Sequence, residues 1–140
     1  MPKIKTTRKH FDLFKIEVKK WIQNFGLTDW NVYYSHIKLN LKAQCKYDLV
    51  GRVATLSLST EYIDDTIEYN IEQDIKMSAF HEVCELLLGP LESMVDQRYA
   101  LGIDDVEEER HRIIRRLENF VFTIYKKEYG KSKKCQLQKK

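Results

Sequence analysis

The stretch Met77-Ser-Ala-Phe-His-Glu-Val-Cys-Glu-Leu-Leu-Leu88 decides the reading of this chain. It reads as the later part of a helix, with Gly89-Pro90 as its stop. His81 and Glu85 are four residues apart, so they share one helical face a single turn apart. Glu82 is rotated toward a neighbouring face. An imidazole and a carboxylate one turn apart can hold one divalent metal, and an adjacent free carboxylate can activate water on it. The alternative is an amphipathic core helix with His81, Glu82 and Glu85 on its wet side.

Upstream, the helix starts near 65–69 or after Asn70 as its cap. Ile71, Ile75, Phe80, Val83, Cys84, Leu87 and Leu88 can be buried along it, which makes Cys84 a small core residue rather than a ligand or nucleophile. Downstream, residues 91–100 resume helical spacing and Leu101-Gly-Ile103 is a break. Asp104 with Glu107 three residues on has the form of a capping box. A last helix follows from Asp105 to about Tyr129, with Val106, Ile113, Leu117, Phe120, Val121 and Ile124 as its apolar stripe. Glu109 shares that stripe, and a carboxylate there is costly to bury without a partner. A metal held by the His81 helix would be such a partner, which makes Glu109 the expected third ligand. Glu108, rotated about 100° from it, and His111, about 200°, are the alternatives.

The first half is built differently. Phe11, Phe14, Val18, Trp21, Ile22 and Phe25 recur at helical spacing, and Gly26 is a natural stop. From Trp30 the pattern alternates, which reads as a strand to about Leu39, with His36 on the sheet face or surface. Residues 43–47 and 52–59 read as two more strands paired as a hairpin about Asp48–Gly51. Residues 1–9 and 130–140 are expected to be a loose basic arm and a flexible lysine-rich tail.

One domain of 140 residues, 43% hydrophobic and 11% aromatic, can bury a real core. No apolar run reaches membrane-spanning length and the N-terminus lacks the core of a signal peptide. Cys45, Cys84 and Cys135 form no C-x-x-C pair, so neither a disulfide framework nor a zinc ribbon is expected, and a cytoplasmic location is the default. The net charge of +3 hides an asymmetry. Residues 1–20 hold seven Lys or Arg, residues 126–140 hold seven Lys, and residues 61–109 hold fifteen Asp or Glu against Lys76 and Arg98. The anionic middle suits a cation; the basic ends read first as solubilising, fraying segments, with contact to nucleic acid or another acidic surface as the alternative. No phosphate loop, nucleophile elbow or nucleic-acid-binding motif is present.

The order of elements and four stretches carry a resemblance. These are Gly26-Leu-Thr-Asp-Trp30, Arg52-Val-Ala-Thr-Leu-Ser-Leu58, His81-Glu-Val-Cys-Glu-Leu-Leu-Leu-Gly-Pro-Leu91 and Glu108-Glu-Arg-His-Arg-Ile-Ile-Arg-Arg-Leu-Glu118. Together they resemble the small metallopeptidase-like proteins encoded by bacteriophages, distant relatives of the SprT-like group of zincins. The resemblance implies a compact α+β zincin-like domain: an N-terminal helix, a small three-stranded sheet, a motif helix and a C-terminal helix. It implies zinc as cofactor and a peptide or protein as substrate. His81 would be the first ligand and Glu82 the general base, with Tyr99, His111 or Tyr125 stabilising the oxyanion. The chain departs from H-E-x-x-H in having Glu85 where the second His would be. A carboxylate can ligate zinc, but an anion in place of a neutral ligand acidifies the bound water less, so weaker hydrolysis is expected. The rival expectation is a catalytically degenerate scaffold that acts through its charged surfaces.

Overall fold

The computed structural model describes residues 3–63, 70–97 and 102–137, side chains excepted at 96, 125, 126 and 128–137. In chain order the elements are β1 (Lys3–Lys5), α1 (Arg8–Asn24), β2 (Asn31–Ile37), β3 (Ala43–Asp48), β4 (Val53–Ser59), β5 (Glu61–Ile63), α2 (Ile71–Asp96) and α3 (Ile103–Leu137). This is an α+β domain with the three-stranded sheet that the periodicities predict, and the helical segments expected on either side of Gly89-Pro90 are one helix, α2.

The sheet has the order β2-β4-β3. β3 and β4 form the expected antiparallel hairpin, with Ala43 opposite Leu58 and Asp48 opposite Val53. β2 joins β4 on its other side in parallel register, Asn31 with Val53 through Ile37 with Ser59. β4 is therefore the central strand, and Ala54, Leu56 and Leu58 on it are 1%, 0% and 1% exposed. Burying each leucine contributes about 1.5–3 kcal/mol. Phe14, Val18 and Ile22 of α1 and Ile75, Ala79, Val83, Leu86 and Leu87 of α2 complete this core.

α1 opens on a capping box: the Thr7 hydroxyl accepts the His10 N–H, and His10 Nδ1 accepts the Thr7 N–H at 3.0 Å. It ends as expected at Gly26, whose φ of +64° a side chain would strain. Trp21 and Phe25 then meet Phe80 of α2 and Phe120 of α3 in an aromatic cluster, with ring centroids 4.7–6.1 Å apart.

Four local expectations differ from the structure. Residues Lys3–Lys5 are not a loose arm but a strand, antiparallel to β5, and Lys3 and Lys38 share Glu61. Thr6 locks this arm down through its hydroxyl, which donates to the Ser59 carbonyl and bonds His36 Nε2 at 2.7 Å. Gly89-Pro90 does not end α2, which continues to Asp96. Gly89 serves a close approach instead: a Cβ there would lie 2.8 Å from the Tyr47 ring. α3 starts at Ile103 rather than at an Asp104 cap; Asp105 accepts the Gly102 N–H at 2.8 Å, one half of a capping box shifted back. α3 is helical to Leu137, through most of the expected tail. The start of α2 falls on the Asn70 cap, whose side chain accepts the Gln73 N–H at 3.2 Å; the alternative start at 65–69 lies outside the described residues. No described helix is long and apolar enough to cross a membrane.

Candidate functional site

α2 packs Ile75, Ala79, Val83 and Leu86 inward, which turns the His81–Glu85 row outward beside the edge strand β3. Between them lies a groove of about 490 Å³, walled by residues 41–45 on one side and by Met77, Ser78, His81, Glu82 and Glu85 on the other. His81 Nε2 is 3.3 Å from Glu85 Oε1, and both side chains are well exposed. The one-turn spacing therefore does bring imidazole and carboxylate into contact.

Glu82 is different: it is 6% exposed, at the seam of α2 and β3. Burial pushes its carboxyl up to about 7, and the Glu85 carboxylate beside it adds to the rise. His81 and the Cys45 backbone N–H, which donates to Glu82, oppose it. A carboxyl poised near neutrality beside an imidazole in a groove has the properties of a general acid–base group. It also ties α2 to β3, because it satisfies a strand-edge N–H.

Cys45 is a groove residue that the sequence reading assigned only to a strand. Its thiol is pushed up to about 12 by burial and then by Glu82 and Glu85, so it stays protonated and is no nucleophile. Alternation in β3 puts Ala43, Cys45 and Tyr47 on one side, which was the available signal. Cys84, expected in the core, is only partly buried.

Glu109 is not brought to this cluster. It is 5% exposed, as its place on the apolar stripe predicts, but Arg112 Nε lies 3.5 Å from its carboxylate. It faces a cleft lined by Leu86, Leu87 and Pro90 of α2 with Arg52, Arg112 and Arg116. Those three α2 residues lie on the side of the helix away from His81 and Glu85. The buried anion is thus compensated by a guanidinium where a metal was expected. Glu108 and His111 are exposed, and His111 Nδ1 donates to the Glu107 carbonyl at 2.8 Å. Tyr99 and the Tyr125 side chain lie outside the described residues.

His81 and Glu85 supply two donors for zinc, with Glu82 beside them, but a zinc site of this kind takes three protein donors. Among the described residues no three His, Cys, Asp or Glu side chains are grouped to hold a metal. Compared with known proteins, the chain matches no family model, no curated protein and no solved structure.

Proposed function

We propose that this protein is a zincin-like metallopeptidase domain with a variant H-E-x-x-E motif, acting on peptide or protein substrates. The observation that supports this best is the buried Glu82, raised to about 7, in the wall of a groove that also exposes His81 and Glu85. His81 and Glu85 would be the two metal donors on α2, and among the described residues they are one short of the three that such a zinc site takes. Bound there, zinc would polarise the substrate carbonyl and acidify water. Glu82, buried beside these donors with its carboxyl raised to about 7, would take up and return a proton at the reacting groups.

A second reading has its own support. Glu109 is neutralised by Arg112, and Glu82 is bonded to the Cys45 N–H. On that reading the scaffold is catalytically degenerate and binds partners without cleaving them. The two are separated by incubating the zinc-supplemented protein with an unfolded casein substrate. The peptidase reading expects cleavage that Glu82→Gln abolishes while zinc retention is unchanged. No cleavage, or equal cleavage by Glu82→Gln, would favour the degenerate scaffold.

A further inference from the structure

Much of the apolar stripe on α3 does not face the body. Ile113 is 8% exposed and Phe120 joins the aromatic cluster, but Ile114, Leu117, Val121 and Ile124 are 40%, 39%, 56% and 42% exposed. These four are spaced by three, four and three residues, the a, d, a, d positions of a heptad. The same register runs on in both directions. Toward the N-terminus it meets Arg110, Glu107 and Ile103, of which Ile103 is 76% exposed. Toward the C-terminus it meets Glu128, Lys131 and Cys135 by sequence. The helix is 35 residues long, which gives a seam of about 50 Å.

This register is antisymmetric in charge about Asn119. Laid antiparallel on a second α3 centred there, each seam residue meets the one equally far on the other side. Ile114 then meets Ile124, and Leu117 meets Val121. Arg110 meets Glu128, and Glu107 meets Lys131. Ile103 meets Cys135. Every layer is apolar on apolar or opposite charge on opposite charge. In a parallel pair each residue meets itself, so Glu107, Arg110, Glu128 and Lys131 each make a like-charge layer. We propose that two copies of this chain pair antiparallel through α3, as a twofold-symmetric coiled coil centred on Asn119. A twofold interface needs a self-complementary patch, and this seam is one.

Sedimentation of the full chain tests the pairing. The expected mass at micromolar concentration is twice the 16.8 kDa of the chain. Leu117→Asp should return it to the chain mass with unchanged helical circular dichroism. Glu107→Lys should weaken the dimer at least tenfold, and adding Lys131→Glu should restore it. Orientation is read from Ile103→Cys oxidised with diamide. A disulfide between residues 103 and 135 of different copies is expected, since within one helix the two are far apart. A wild-type monomer would overturn the proposal and leave the seam to another protein. A dimer linked only 103 to 103 or 135 to 135 would overturn the antiparallel arrangement.

Discussion

At Glu82 a titratable carboxyl is buried against β3. Its folded pKa of about 7 lies above the ordinary 4.5, so the folded protein holds this proton more tightly than the unfolded chain. Below the lower value both states hold it and stability is unaffected. Stability falls as pH rises from the lower value to the higher, and the whole cost is present above it. That cost is on the order of 3 kcal/mol. In chelator-treated protein, Glu82→Gln should therefore raise stability by roughly 2–3 kcal/mol at about pH 8 and change it little at about pH 4. Urea unfolding across that range is the check; parallel wild-type and variant curves would contradict the raised pKa. The contact of His81 with Glu85 was legible in the sequence, because helical geometry alone fixes residues one turn apart. The roles of Cys45 and Arg112 were not, because they depend on which faces of α2 the sheet and α3 occupy.

α2 shows how far local signals reach. Its Asn70 cap and inward face were readable from capping chemistry and period. Gly89-Pro90 was misread because the dipeptide carries the same letters whether it stops a helix or lets a ring pass close. Here the Tyr47 ring lies across Gly89, with Tyr47 Oη donating to Glu92 at 3.4 Å. Gly89→Ala should thus be unfavourable by about 1–3 kcal/mol, from overpacking. In a Tyr47→Ala background the same change should become favourable by up to about 1 kcal/mol, because alanine is the better helix former. A double-mutant cycle in urea measures this reversal; the same sign in both backgrounds would mean that Gly89 is not there for the ring. In α3 the stripe was read correctly as apolar but too simply as core. Along this helix Ile113 is buried and Phe120 joins the aromatic cluster, whereas Ile114, Leu117, Val121 and Ile124 stay exposed.

At the scale of the molecule, the switch from helical to alternating period near Trp30, and back after β5, was enough to predict an α+β domain and its hairpin. The parallel pairing of β2 with β4 and the docking of β1 on β5 were not predictable, since both join segments far apart in sequence. The zincin-like reading rests on the resemblance and on the groove where His81, Glu82 and Glu85 meet. It stands or falls on whether that face of α2 takes up metal. Native mass spectrometry of the chain purified without chelator, read beside His81→Ala and Glu109→Ala, measures this most directly. The account predicts one zinc per chain, lost in His81→Ala and kept in Glu109→Ala, whose carboxylate pairs with Arg112. Wild-type protein that stays metal-free after zinc supplementation, or zinc retained by His81→Ala, would contradict it.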